Sequence, residues 1–400
     1  MRRAASLVPL RIERARVIGL SEGHEYAFRS LTLKCRQRLY PAQDEDSVTE
    51  ISGIDDQCCP TISVVYGPTI DVSTWSAKYA AGLVPSMWPY GLNLLGSNGI
   101  KVTLGHQSRN RSRIPRSKVG PGNENGEYIA MGFDERVAHT VAKHCGFHAC
   151  GVIWLLEPSP TFRARFRKMR ARRSLKKMDL IWCYSQALRS RLVDELNVAD
   201  SRVLYLPLGV DADFYAAQPY PEDGLVLSVG NDRSRDMKTL YEAFAIMHEA
   251  HPETSFVVQS EDPAPSPPFV QRVSRFKDHS ELRDYYSRAS AVVIATRNNL
   301  YTSGSTVALE VQAMARPIVI THSPGMSDYV EDGVSGFLTP IGDPSLLAAA
   351  ALRVLEDNQL GRRLGLAGSK RVRSSNTTGT MVETLRQEMV RLLQRNRKPM

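Results

Sequence analysis

The chain has 400 residues, 42% of them hydrophobic, and a formal net charge of +9 at pH 7. That is enough apolar material for two ordinary domains with their own cores, and it excludes an intrinsically disordered chain. No run of eighteen apolar residues occurs, and the basic N-terminus MRRAASLVPLRIERAR lacks the apolar core and cleavage site of a secretory signal, so a cytoplasmic protein is expected. The six cysteines, Cys35, Cys58, Cys59, Cys145, Cys150 and Cys183, form no C-x-x-C pair, which argues against a zinc site or a disulfide framework. The positive balance suits an anionic partner: a nucleotide sugar, an anionic lipid or a nucleic acid.

Residues 1–58 read as an N-terminal extension of unclear structure. A short strand at Arg16–Leu20 and a helix over 21–39 are expected, followed by a polar, acidic stretch. His24 is a lone histidine of the kind that is more often structural than catalytic. Thr61–Tyr66, a β-branched run ending at Gly67-Pro68, predicts the first strand of an open α/β sheet. A helix near Tyr90–Ser97 and a strand at Ile100–Leu104 follow. Between Gln107 and Gly132 the composition is Gly-, Asn- and Arg-rich without apolar periodicity, which predicts a long surface loop. Residues 134–149 carry a helical pattern, and 151–160, GVIWLLEPSP, read as a buried strand entering a Pro-broken loop that carries Glu157.

Nine Lys or Arg lie between Arg163 and Lys177, interleaved with Phe162, Phe166, Met169 and Leu175. On a helix Phe162, Phe166 and Met169 share a face, so the segment 162–177 is basic and amphipathic, and such a helix can lie on an anionic membrane surface. A solvated face over a core stripe is the alternative. Nucleic-acid binding is disfavoured because no recognisable RNA or DNA module accompanies the charge. Residues 179–196 predict strand, turn and helix with Ser185 as N-cap, and 203–215, VLYLPLGVDADFY, a short strand and a linker. Asp211-x-Asp213 has the spacing that metal-dependent transferases use on a diphosphate, but it falls in the linker rather than after a buried strand, so no metal is expected.

A second domain opens with the strand LVLSVG, ending at Gly230, and continues into NDRSRDMKTLYEAFAIM, a strand, turn and helix with Arg233, Arg235 and Lys238 at the turn. Ligands bind at such strand ends in doubly wound sheets. A strand at 254–260, a Pro-rich loop, a helix and a strand over 279–296 lead to Tyr301–Thr321. There Ser303, Gly304, Ser305 and Thr306 are small enough for backbone N–H groups to meet an anion at a helix N-terminus. Glu310 lies about one turn further, where a carboxylate can accept hydroxyl hydrogen bonds. Pro317 ends the helix, Ile318–Ile320 form a strand, and a last helix spans about Thr378–Leu393.

With its flanks, this stretch resembles the nucleotide-sugar-binding half of family 4 glycosyltransferases, retaining enzymes of GT-B fold. The similarity covers about 200–372 most clearly and 61–200 less so. It implies two Rossmann-like α/β domains facing a central cleft: 59–208 on the acceptor side, 209–377 on the donor side, and 378–400 returning to the first domain. The family's two glutamates, with seven residues between them, fall here on Thr302 and Glu310, so half the motif is replaced. Its diphosphate-binding cations fall on Arg235, with Asn231 at the other position and Arg233 as substitute. Glu310 would hold the donor ribose, and backbone amides near Gly304 to Thr306 would assist at the diphosphate. Where the family carries a cleft histidine, Glu157 stands, either to hydrogen-bond the acceptor or as a solvated loop residue. The implied activity is transfer of a sugar from a nucleoside diphosphate sugar to a saccharide, lipid-linked or small-molecule hydroxyl acceptor, with no cofactor. The replacements at Thr302 and Glu157 leave a non-catalytic binding or scaffold protein as the alternative.

Overall fold

The computed structural model describes residues 59–395 apart from 68, 97–98, 106–127, 222–223 and 263–264. The expected N-terminal extension and His24 lie outside the described residues. Two parallel six-stranded sheets dominate, each flanked by helices. The first contains β1 (Thr61–Val65), β2 (Lys101–Leu104), β3 (Tyr128–Gly132), β4 (Phe147–Val152), β5 (Leu180–Cys183) and β6 (Val203–Tyr205), in the order β2-β1-β3-β4-β5-β6. The second contains β7 (Leu225–Ser228), β8 (Phe256–Gln259), β9 (Val270–Val273), β10 (Ala289–Ile294), β11 (Ile318–Thr321) and β12 (Phe337–Thr339), in the order β12-β11-β10-β7-β8-β9. Every strand pair is parallel, as crossover connections require, and the central strands are apolar on both faces because helices cover both.

The helices of the first domain are α1 (Val72–Ala80), α2 (Ala138–Val141), α3 (Phe162–Leu175) and α4 (Gln186–Leu196). Those that follow are α5 (Met237–Ala250), α6 (His279–Arg288), α7 (Ser305–Ala313), α8 (Pro344–Glu356), α9 (Asn358–Ser375) and α10 (Thr378–Arg395). Carboxylates and hydroxyls cap many of them. Asp71 accepts from the Ser73 and Thr74 amides, and Ser185 accepts from the Leu188 amide at 3.0 Å. Helix α10 buries Met381, Leu385, Met389 and Leu392 at helical spacing, in one core cluster with Leu92 and Leu95 of the first domain.

Several expectations need correction. The end of the expected surface loop, Tyr128–Gly132, is the fully buried β3, hydrogen-bonded between β1 and β4. The helical reading of 134–149 holds only for Glu135–Val141, a 3-10 turn running into α2. Gly146 then turns at φ +79, where a Cβ would sit 2.2 Å from the Tyr128 carbonyl oxygen, and β4 starts at Phe147 rather than at 151. Residues after Val152 leave the strand because the buried Glu135 carboxylate accepts the Ile153 and Trp154 amides, both at 2.9 Å. The expected helix near Tyr90 is a 3-10 segment, Pro89–Leu95, broken where Tyr90 and Gly91 both take positive φ. The first helix among the described residues is α1.

The two sheets are joined by specific bonds. Ser185 Oγ donates to the Leu300 carbonyl at 3.1 Å, and the Gln186 amide donates to Asp328 at 2.9 Å. The Tyr329 hydroxyl accepts from the Leu208 amide at 3.1 Å and donates to the Tyr184 carbonyl. Arg316, fully buried, ties the connection to α6 through the carbonyls of Gln218, Tyr286 and Ser287.

Candidate donor-binding cleft

The carboxyl ends of strands from both sheets face a cavity of about 330 Å³. Thr69 and Ile70 follow β1, Phe133 and Arg136 follow β3, Ile153 and Trp154 follow β4, and Tyr184 follows β5. From the second sheet, Asp232 and Arg235 follow β7, and residues 301–307 follow β10. Open α/β sheets bind ligands at such a convergence of strand ends, where helix N-termini also point.

Arg235 is the side chain that most marks this cavity. It is only 9% exposed, yet its Nε and Nη1 have no hydrogen-bond partner among the described residues. Two glycines make room for it: a Cβ on Gly230 would lie 2.4 Å from Nη2, and one on Gly304 would lie 2.8 Å from Nη1. Burial holds the guanidinium below the usual arginine range, with Asp232 pulling the other way. A buried, unpaired charge is costly, so it is kept where a ligand completes it.

Across from Arg235, Gly304 caps α7 at φ +96 with no side-chain cap. The Ser303 amide is taken by Asn299 Oδ1 at 2.9 Å and the Ser305 amide by the Thr302 carbonyl at 2.9 Å. Among the described residues, the donors left at this helix end are the Gly304, Thr306 and Val307 amides. The partial positive charge of the helix N-terminus and the Arg235 guanidinium therefore meet at one point, a ready anion site. Thr302, where the family pattern has a glutamate, lines the same cavity with φ +53 and a buried Oγ1 that has no partner among the described residues. Such backbone strain in a β-branched residue concentrates at functional sites.

The other expected residues lie elsewhere. Glu310 does not line this cavity. Both its oxygens are held in the core, Oε2 by the Tyr286 hydroxyl at 2.8 Å and Oε1 by the Tyr215 hydroxyl at 3.1 Å. The position one turn into α7 faces inward here, towards α6 and the connection after β6, so the ribose role expected of it does not fit. Burial pushes the Glu310 carboxyl up to about 7 against the pull of the two tyrosines. Glu157 is also turned away, its Oε1 accepting the Leu300 amide at 3.2 Å between the two sheets. It is a bracket between domains rather than an acceptor contact. Arg233 is exposed, 5.8 Å from the Tyr301 ring centroid, and faces a neighbouring cavity. Asp211 caps a turn through the Asp213 and Phe214 amides, and Asp213 pairs with Arg373 at 3.5 Å.

Sequence reasoning missed several lining residues. Asp232 accepts from the Ser303 hydroxyl at 2.7 Å, the Ser234 amide at 2.9 Å and the Tyr301 hydroxyl, so it fixes the two loops that carry Arg235 and α7. Its place in the loop after a buried strand was the signal available. Arg136 is held by Asp134 in a two-point ion pair and lies 4.8 Å from the Trp154 ring centroid. Tyr90 stacks on Phe133 at 4.4 Å. Nothing in the local sequence points to either.

Comparison with known proteins agrees with this geometry. Residues 223–357 match the family model described as Glycosyl transferases group 1. Over these residues the chain is similar to the group 1 glycosyltransferases. The D-inositol 3-phosphate glycosyltransferase of Streptomyces bingchenggensis is 34% identical over 99 residues, covering 24% of this chain and 21% of that protein. Glycogen synthase of Mycobacterium tuberculosis is 28% identical over 212 residues, 49% of this chain and 50% of that one. The chain thus spans half or less of the length of these curated relatives. Among solved structures, sucrose-phosphate synthase from Thermosynechococcus elongatus superposes with a TM-score of 0.59 at 17% identity, over 84% of this chain and 99% of that one. Anabaena HepE in complex with UDP gives 0.60 at 12% identity, over 82% and 99%. The fold of the chain is GT-B, with two Rossmann-like domains and the cavity between their sheets.

Proposed function

We propose that this chain transfers a sugar from a nucleoside diphosphate sugar to a hydroxyl acceptor, with retention of anomeric configuration. The observation that carries this reading is the buried, unpartnered Arg235 guanidinium facing the uncapped N-terminus of α7 across the cavity. A diphosphate seated there receives a fork of charged donors and backbone amides. Because negative charge grows on the leaving diphosphate as the glycosidic bond breaks, the same contacts strengthen in the transition state. In this reading charge neutralisation falls to Arg235 and the helix end rather than to a metal. Asp232 is the one carboxylate among the described lining residues and already accepts three hydrogen bonds, so no pair of acid and nucleophile is at hand. Attack on the same face as the departing phosphate, assisted by that phosphate, is the mechanism the family resemblance implies. The UDP in the HepE structure supports a nucleotide-sugar donor.

Incubation with a panel of UDP-, GDP- and ADP-sugars tests the proposal, through slow donor hydrolysis and through donor binding. One donor should give both. Neither hydrolysis nor binding with any donor would leave the scaffold reading, which the replacement of the family glutamate by Thr302 favours.

We also propose that the enzyme works in the cytoplasm, peripherally on an anionic membrane face. No helix of the described residues is long and apolar enough to cross a membrane. The four described cysteines are free thiols, which fits a reducing compartment. Phe162, Phe166 and Met169 are 83%, 51% and 39% exposed and stand outside the core stripe of α3, which is Ala171, Ser174 and Leu175. An apolar strip flanked by arginines complements an anionic bilayer. Co-sedimentation with anionic vesicles should be strong at low salt and lost at high salt or in Phe162→Ser/Phe166→Ser. Binding indifferent to both would remove this reading.

A further inference from the structure

A second cavity, of about 590 Å³, adjoins the first and shares Arg136, Trp154 and Asp232 with it. One wall is the inner face of α3, where Ala164, Arg167, Lys168 and Ala171 recur at helical spacing beside Arg170. The opposite wall is the loop after β7 with Arg233. The negative groups on its lining are already used. Glu135 accepts the Ile153 and Trp154 amides, one on each oxygen, and Asp232 accepts from Tyr301, Ser303 and Ser234, all on Oδ1. Arg136 is matched by Asp134. Arg167, Arg170 and Arg233 form no ion pair with any described residue. Lys168 is spent on the Glu157 carbonyl, and burial together with the like charges of Arg172 and Arg233 holds its pKa below the usual lysine range.

Three exposed guanidinium groups with no ion-pair partner among the described residues line one pocket from two domains, and an anion seated there can meet all three. We propose that this cavity binds the phosphate group of a phosphate-bearing acceptor and so presents the acceptor hydroxyl to the donor cavity through the shared wall of Arg136 and Trp154. The proposal rests on the transfer reading for the word acceptor, and not for the binding of phosphate. Two sources share this chemistry, a soluble sugar or polyol phosphate and a phospholipid headgroup, and the outward apolar strip lies on the same helix.

The test is calorimetric titration of glycerol 3-phosphate into the full chain, alongside flotation with phosphatidylcholine vesicles with and without phosphatidic acid. Four proteins are compared: the wild type, R167E/R170E, R163E/R165E and R235Q. The second double variant carries the same charge change on the same helix away from the cavity. Binding about tenfold or more weaker in R167E/R170E than in R163E/R165E, with R235Q near wild type, supports the pocket whether or not sugar transfer is ever observed. When that pattern appears with glycerol 3-phosphate the source is soluble, and when it appears only with phosphatidic acid vesicles it is lipid. Equal weakening in the two double variants means diffuse surface attraction and overturns the proposal. Loss confined to R235Q places phosphate at the α7 end alone, which overturns this inference and leaves the donor reading standing. Absence of phosphate binding in both formats overturns it as well.

Discussion

Arg235→Ala should lower kcat/KM for the nucleotide-sugar donor by about two to three orders of magnitude, the loss typical of removing a principal stabiliser of developing negative charge. Folding stability should move little or rise. In the unliganded protein the guanidinium is buried with two nitrogens unpaired among the described residues, so its removal takes away a desolvation cost and no intramolecular hydrogen bond. That combination separates a binding residue from a structural one, since a merely structural arginine would lose stability and activity together. Arg235→Lys should recover only part of the rate, because an ammonium offers a point charge where the cavity is shaped for a fork. Steady-state kinetics with the donor found in the panel, beside denaturant unfolding of the same variants, reads both effects. Near-wild-type kcat/KM in the alanine variant would sink the diphosphate role.

Stability should fall as pH rises from about 4.5 to about 7, and Glu310→Gln should remove that fall. The Glu310 carboxyl has an ordinary value of 4.5 and is pushed up to about 7 by burial in the folded chain. A raised folded value means that the native state holds its proton more tightly than the unfolded chain. The associated stability is complete below the unfolded value and is lost as pH climbs through the folded one. Across a gap of this size the loss is on the order of 3 kcal/mol. Proton bookkeeping agrees with the contacts. Tyr215 is shared between Glu310 at 3.1 Å and His279 Nδ1 at 2.8 Å, so with Glu310 ionised Tyr215 donates to it and the His279 Nδ1–H donates to Tyr215. Burial keeps His279 below its ordinary value, so its own effect has the opposite sign, stabilising above and lost as pH falls. Because His279 is present in both proteins, the difference in unfolding free energy between wild type and variant isolates Glu310. A difference that stays constant from about pH 3.5 to about pH 8, one unit beyond each limit, would refute the assignment.

Much of the architecture was legible in the chain because its elements carry strong local signals. LVLSVG and the run ending at Ile294 are apolar on both faces, as parallel strands covered by helices must be, and Ser185 and Pro317 mark helix limits by their own chemistry. Strand β3 was missed since YIAMG is short, ends in glycine and follows a polar stretch, so its burial shows only once β1 and β4 hold it from either side. Tyr90 escaped for another reason: a left-handed tyrosine is imposed by the packing around it, here the stack on Phe133, and no local pattern announces it.

At the site the division is sharper. Sequence by itself determined that a cationic loop after a buried strand and a small-residue helix start belong to one Rossmann-like sheet, because both features are short-range in the chain. It could not decide which way individual carboxylates face. Glu310 and Glu157 stand at positions that read as cleft residues, and tertiary packing turns one onto two tyrosines and the other onto the Leu300 amide. The reason is that a buried carboxylate goes wherever hydrogen-bond donors meet it, and donors such as Tyr215, Tyr286 and Leu300 come from 24 to 143 residues away in sequence. Only the fold could likewise leave Arg235 buried without a partner and bring three more arginines, from two domains, around a second cavity.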